Sequence, residues 1–218
     1  MKPVRKLKRL NKRADFSNGL NVAILASGNG SNFESLVKTT KEKKIKVNIK
    51  LLITDKRGAF ARKRARRLGV KDIFINPKEF KSRLEFDKKI VKLLHKEEIE
   101  LVALAGYMRI ISPYFVKSFK NKILNIHPAL LPCFKGATAI KDAYEYGCKV
   151  TGVTVHFVDE KVDHGPIILQ EPLKIDSGLT LSKLEEKIHK IEHRLYPEAL
   201  RLLSKGKLKI RGRNVKII

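Results

Sequence analysis

Only two cysteines, Cys133 and Cys148, occur in this chain of 218 residues. Two thiols build no disulfide framework and form no Cys-x-x-Cys pair, so a disulfide scaffold and a cysteine-based metal site are both disfavoured and a reducing, cytoplasmic setting is expected. Neither thiol has a neighbouring base or cation dedicated to it, which argues against a catalytic cysteine. Long apolar runs are missing as well. No stretch approaches the roughly 18 to 20 residues of a membrane span, so a soluble protein without a membrane partner is expected. Internal repeats and low-complexity linkers are absent beyond the N-terminal tail.

Acidic residues are scarce: 22 Asp and Glu face 48 Lys and Arg, a formal charge of +26. Such a balance usually accompanies a polyanion such as nucleic acid. Here the cations are spread through Lys41-Glu42-Lys43-Lys44, Arg62-Lys63-Arg64-Ala65-Arg66-Arg67 and Arg211-Gly212-Arg213. Dispersal fits solvated faces and biased composition as well as it fits an RNA surface, and it attracts small anionic substrates too. No specific nucleic-acid partner is expected. Residues 1–19 stand apart, with seven cations before the first acid, Asp15. They read as a basic, disordered extension; the spacing of Val4, Leu7 and Leu10 allows a short amphipathic helix, and organelle targeting or polyanion contact are the alternatives.

The remaining residues, 20–218, contain 43% hydrophobic residues chain-wide and suffice for one core. Asn21–Ala26 is a continuous apolar run ending at glycines, as a strand buried on both faces requires. Strands at Val47–Ile53, Asp72–Ile75, Leu101–Leu104 and Ile123–Ile126 alternate with helices over about 32–43, 59–68 and 82–96. This order predicts an α/β, Rossmann-like, doubly wound and mostly parallel sheet. Later, Val150–Val158 and Pro166–Glu171 are β-rich and joined by a polar loop too short for a crossover helix, so antiparallel strands are expected in the C-terminal half. A closing helix spans Leu179–Leu203.

Two distant stretches carry groups that complement one another. Asn125-Ile126-His127-Pro128 ends an apolar strand, and Asp163-His164-Gly165-Pro166 begins 36 residues after His127. An amide and a protonated imidazole can hydrogen-bond an oxygen that turns negative in a transition state, while a carboxylate pairs with the imidazole and helps move protons. This is the equipment of metal-free acyl transfer. His127, His156 and Asp163 have no helical ligand spacing that would mark a metal site, and none is expected. Ser27-Gly28-Asn29-Gly30-Ser31-Asn32 joins the first strand to the first helix, where free N–H groups favour phosphate. Phe33 occupies the third glycine position of the dinucleotide pattern G-x-G-x-x-G and no Walker lysine follows, so a single phosphate is the better reading. A tight turn without a ligand, or a nicotinamide site using Asp55, are the alternatives.

Taken in order, Ser27–Asn32, Ala105-Gly106-Tyr107-Met108-Arg109-Ile110, Asn125–Pro132, Thr151–Val158 and Asp163–Gln170 resemble the phosphoribosylglycinamide formyltransferase family, folate-dependent enzymes of purine synthesis. The resemblance runs from about Val22 to Ala199. It implies the formyltransferase fold and a reaction in which the amino group of glycinamide ribonucleotide takes the formyl group of 10-formyltetrahydrofolate, the co-substrate. By resemblance Asn125, His127 and Asp163 act in catalysis. Gly30, Ser31 and Asn32 hold the nucleotide phosphate, with Glu192 near the ribose. Met108, Arg109, Ile110 and Ile111 border the folate ring and benzoate, and Arg83 meets its glutamate tail, where a guanidinium suits carboxylates. His156 reads as a packed core histidine with a supporting role, and His164 is assigned no chemistry. The expected oligomeric state is a monomer or homodimer.

Two features depart from that pattern. Cys133-Phe134-Lys135-Gly136 replaces the basic or aromatic residue and Pro-Gly common after Leu131-Pro132. Lys135–Ile140 is similar to methionyl-tRNA formyltransferases, which use the same donor and add a C-terminal tRNA-binding domain for which this chain leaves no room. Formylation of another acceptor such as methionyl-tRNA, and a noncatalytic polyanion-binding protein on this scaffold, remain the competing readings.

Overall fold

Leu20–Leu25 (β1) has Leu20, Val22 and Ile24 in one apolar cluster and Ala23 and Leu25 in another, so both faces of this strand are covered. A computed structural model describes residues 19–218; the basic extension expected at 1–19 lies, apart from Gly19, outside them. Val47–Thr54 (β2) and Leu101–Leu104 (β4) flank β1, and both run parallel to it. Lys71–Phe74 (β3) lies beyond β2, and Ile123–His127 (β5) beyond β4. Among the described residues the full order is β3-β2-β1-β4-β5-β6-β7-β9-β8. The first five strands are the doubly wound half expected from the apolar runs.

The C-terminal half reverses direction. Val150–Phe157 (β6) is antiparallel to β5, and Ile167–Lys174 (β7) antiparallel to β6. A hairpin of Leu208–Arg211 (β8) and Asn214–Ile217 (β9) completes the sheet, with β9 beside β7 at the single register pair Ile167 and Asn214. Helices Ser31–Glu42 (α1), Phe60–Arg67 (α2) and Leu181–Ser204 (α6) cover one face. Arg83–Lys96 (α3) and Pro113–Ser118 (α4) cover the other. Ala139–Glu145 (α5) packs Ile140 and Tyr144 against the first cluster. No helix among the described residues is long and apolar enough to cross a membrane.

Three elements were not expected. α4 and α5 have six and seven residues, too few turns to establish a 3.6-residue period. The β8–β9 hairpin does alternate apolar and basic residues around Gly212-Arg213, the signature of a tight hairpin. From the sequence only its Arg211-Gly212-Arg213 stands out, as one of the dispersed basic stretches.

The closing helix contains Pro197 within its 24 residues. Proline has no N–H, so the carbonyl four residues back, that of His193, loses its helical donor. The Ser35 hydroxyl of α1 donates to that carbonyl at 2.7 Å, which joins the two helices at the point of the defect. Tyr196, fully buried next to Pro197, directs its hydroxyl at the carbonyls of Leu104 and Leu124, 3.0 and 3.1 Å away. α6 is thereby pinned beneath β4 and β5, one residue before Asn125. Ser35→Ala should lower the unfolding free energy by about 1 kcal/mol, and by less in a Pro197→Ala background, where the helix regains its own donor. Equal losses in both backgrounds, measured by urea melts, would refute the compensation.

Candidate active site

Asn125 lies within β5 opposite Leu104 on one side and His156 on the other, so sheet register alone brings Asn125 beside His156. Asp163 arrives from the loop between β6 and β7. Its oxygen Oδ1 is 3.3 Å from Asn125 Nδ2 and its Oδ2 is 3.4 Å from His127 Nδ1. The three residues separated by up to 38 positions in sequence thus share one site. Two backbone facts let the loop come this close. Asp163 adopts a left-handed φ of 44°, and Gly165 packs where any Cβ would overlap the Phe157 carbonyl.

Hydrogen-bond chemistry orients each group. A carboxylate only accepts, so Asn125 turns its NH2 toward Asp163. That nitrogen is also 3.2 Å from His156 Nε2. His156 Nδ1 is 2.7 Å from the Phe157 carbonyl, which also only accepts; Nδ1 therefore carries the proton and Nε2 offers a lone pair to the amide. Burial pushes His156 below its ordinary value, outweighing the Phe157 carbonyl and the nearby Asp163, so the ring is neutral and its 3.8 Å approach to Asp163 is not an ion pair. His127 is buried, and its Nε2 lies 2.7 Å from the Phe134 carbonyl. Phe134 belongs to the divergent loop and has a φ of 48°. The next glycine, Gly136, donates its N–H to Asp163 Oδ2 at 2.9 Å. The loop therefore covers hydrogen-bonding atoms of both His127 and Asp163. No group of three His, Cys, Asp or Glu side chains disposed as metal ligands occurs among the described residues.

The glycine loop lies after β1, at the carboxyl end of the sheet. Gly30 caps α1 in the left-handed region, with no side-chain cap, which leaves the first N–H groups of the helix without intrahelical partners. A Cβ on Gly30 would come within 2.5 Å of Ala61 Cβ in α2, whereas one on Gly28 would meet nothing within 4 Å. Glycine at position 30 is thus required by its left-handed backbone and by the packing of α2. Asn32 donates to buried Glu192 at 3.0 Å, and Ser31 is the first residue of α1. Arg64 holds the loop from outside through Asn29, reaching its backbone carbonyl at 3.0 Å and its side chain at 2.9 Å.

The loop after β4 is tied to the glycine loop: Met108 N–H donates to Ser27 Oγ at 2.9 Å, and Ser27 N–H to the Gly106 carbonyl at 3.0 Å. Met108 and Ile110 are exposed apolar residues, 61% and 58% accessible, while Ile111 packs on the core. Arg109 stacks over Phe86 and stands 3.9 Å from Asp55. Asp55 is buried against this guanidinium, which argues against its use as a ribose acid. Arg83 is exposed at the start of α3. It and Arg109 both act on buried Asp87, whose carboxyl is pushed up by burial against the pull of Ser112 and these two cations. Arg83 and the loop at Met108–Ile111 therefore flank one region, and no contact joins Arg83 to the Asn125, His127 and Asp163 set.

Residues 20–200 match the formyl transferase family model. The chain belongs to the formyl transferase family. It is 43% identical over 181 residues to the phosphoribosylglycinamide formyltransferase of Bacillus subtilis, covering 83% of this chain and 93% of that protein. It is 44% identical over 194 residues to the trifunctional purine biosynthetic protein adenosine-3 of Gallus gallus, of which it spans 19% while 89% of this chain is covered. Among solved structures, glycinamide ribonucleotide transformylase 1 from Symbiobacterium toebii superposes with a TM-score of 0.90 at 41% identity, over 92% of this chain and 95% of that one.

Two side chains of this formyl transferase join the site without having been singled out. His189 Nδ1 is 2.8 Å from Glu192 Oε2, the same oxygen that accepts from Asn32, and the Glu192 hydrogen bond raises His189 above its ordinary value. Only the i, i+3 spacing on a helix marked that pair. Ser27, marked in the sequence only as the first residue of the glycine motif, couples the two loops.

Two outcomes check these arrangements. Gly30→Ala should destabilise the formyl transferase by about 2 kcal/mol through its positive φ and the contact with Ala61, while Gly28→Ala should leave the melting temperature near wild type; similar melts for the two would contradict the packing. Below the ordinary histidine value of 6.5, unfolding lets His156 take up a proton that the folded state refuses, so its contribution is lost as pH falls through that value toward the lowered one. His156→Gln should flatten the acid side of the stability profile measured by denaturant melts, and an unchanged slope would show that another group sets it.

Proposed function

We propose that residues 20–218 act as one catalytic domain that transfers the formyl group of 10-formyltetrahydrofolate to the amino group of glycinamide ribonucleotide, giving formylglycinamide ribonucleotide and tetrahydrofolate in purine biosynthesis. The observation that carries this reading is the meeting of Asn125, His127 and Asp163 in one site, in a chain 43% identical over 83% of its length to an enzyme bearing that name.

The chemistry follows from charge development. The amine attacks the formyl carbon, the carbonyl oxygen becomes negative, and a tetrahedral centre forms. Donors aimed at such an oxygen stabilise it more than they stabilise the neutral carbonyl. Asn125 has two amide hydrogens oriented by long contacts to His156 and Asp163, and an oxyanion is a stronger acceptor than either neighbour. His127 donates from Nε2 to the Phe134 carbonyl in the structure described; the substrate oxygen displaces that carbonyl and accepts a hydrogen bond from the same N–H. Asp163 faces His127 Nδ1, so the imidazolium has a counter-charge. The attacking nitrogen then loses a proton, which passes by way of Asp163 to the folate nitrogen as the carbon–nitrogen bond to the donor breaks. Holding both substrates in register supplies much of the acceleration.

Binding assignments rest on the same logic. The N–H groups at Gly30, Ser31 and Asn32 and the positive end of α1 suit a phosphate, and Glu192, fixed by Asn32 and His189, suits ribose hydroxyls. Exposed Met108 and Ile110 offer apolar contact to a flat heterocycle, with Ile111 behind them. Arg109 lies in that same loop, and the Arg83 guanidinium suits the carboxylates of the folate's glutamate tail. The decisive experiment is a two-substrate assay with purified protein: tetrahydrofolate should appear only when glycinamide ribonucleotide and 10-formyltetrahydrofolate are both present. Turnover with charged initiator tRNA in place of the nucleotide would redirect the assignment. Asp163→Asn should reduce kcat by about 100-fold or more while nucleotide affinity, measured by calorimetry, changes little. Wild-type turnover in that variant would remove Asp163 from the mechanism.

A further inference from the structure

The β8–β9 hairpin lies beyond residue 200, where the family match ends, yet it reaches the loop that carries Asp163. Its turn residue Arg213 donates from NH2 to the His164 carbonyl at 2.8 Å. Arg213 NH1 lies 3.1 Å from His164 Nε2, and His164 Nδ1 lies 2.7 Å from Asp159 Oδ2. Arginine donates only, and a carboxylate accepts only. Arg213 NH1 is also 3.3 Å from His164 Nδ1, so it rests against the His164 ring while that ring is held by Asp159. Asp159 in turn accepts the Lys161 N–H at 3.0 Å. These contacts run along the loop that carries Asp163.

A left-handed φ at a residue other than glycine persists when its surroundings over-determine it, and Asp163 is such a residue. From the sheet side it is held by Gly165 against the Phe157 carbonyl. On the solvent side the holding groups are those that meet at His164, one residue away. The geometry points to Arg213 as a positioning residue: it locks the Asp159–Gly165 loop through the His164 carbonyl and ring and so sets the distance of Asp163 from Asn125 and His127. The only register pair between β9 and β7, Ile167 with Asn214, adjoins Arg213 and fixes where the guanidinium reaches. The C-terminal hairpin thereby becomes part of the site's apparatus although it contributes nothing to the site's interior. His164, to which the sequence lent no chemistry, is the link.

This inference rests on the proposed role of Asp163, and its test separates the two. Full-length Arg213→Met and Arg213→Lys would be compared with wild type and Asp163→Asn by hydrogen exchange of the 158–165 segment, by steady-state kinetics and by thermal melting. Arg213→Met should speed exchange in that segment, lower kcat by about 10- to 100-fold, as a displacement near 1 Å can, and leave the KM for the nucleotide within about twofold, since four strands separate β1, which carries the glycine loop, from β9. Arg213→Lys, which still donates to the His164 carbonyl, should recover much of kcat. Unchanged exchange in Arg213→Met would overturn the latch. Faster exchange with wild-type kcat would overturn its link to catalysis, provided Asp163→Asn is impaired. If Asp163→Asn keeps full turnover, it is the role of Asp163 that fails, and the exchange data still report on the latch. A fall in kcat matched by a general loss of melting temperature in both Arg213 variants would count against positioning and for a structural role.

Discussion

One carboxylate connects three other groups of this molecule. Asp163 Oδ1 receives the Asn125 amide, and Oδ2 receives the Gly136 N–H and faces His127. Because ionised oxygens accept and never donate, each of these groups must present a hydrogen to it, and that single requirement sets the amide orientation and the way the loop around Gly136 closes. His156 completes the arrangement from beneath. Its burial keeps it neutral, its own chain claims its Nδ1 proton, and its remaining lone pair holds the same amide. Without the carboxylate, the amide and His127 would have no common partner.

The cation excess bears on the same region. Its scarce acids are shared: Glu34 takes Lys38, Arg64 and Arg67, and Asp72 takes Arg62 and Arg66. The basic helix α2, which invites a nucleic-acid reading, is largely occupied with its own neighbours and braces the glycine loop through Arg64 and Asn29. Individually such pairs near the surface contribute little. Their consequence is geometric, since α2 also supplies Ala61 against Gly30.

Much of this fold was legible in the chain. Val22–Leu25 of β1 and all of β4 are unbroken apolar runs because both faces of their sheet are covered, and the helices expected over about 32–43 and 82–96 are observed as Ser31–Glu42 and Arg83–Lys96. Asn125, His127 and Asp163 were legible as chemistry from residue type and as a set from the ordered motifs. Short elements were not, since six or seven residues carry too little periodicity. Nor was the Arg213 contact with His164, because nothing in either local sequence refers to the other.

What the linear order of residues determined by itself is the pattern: which segments bury both faces, where the chain must turn, and which side chains carry amide, imidazole and acid. Those properties are local or periodic. Only the folded chain decided that His156 would be neutral, that Gly30 would answer to Ala61, and that a carbonyl from the divergent loop would rest on His127. Protonation, steric need and hydrogen-bond partnership depend on distances across strands and helices far apart in sequence, and a distance is not a property of any one segment.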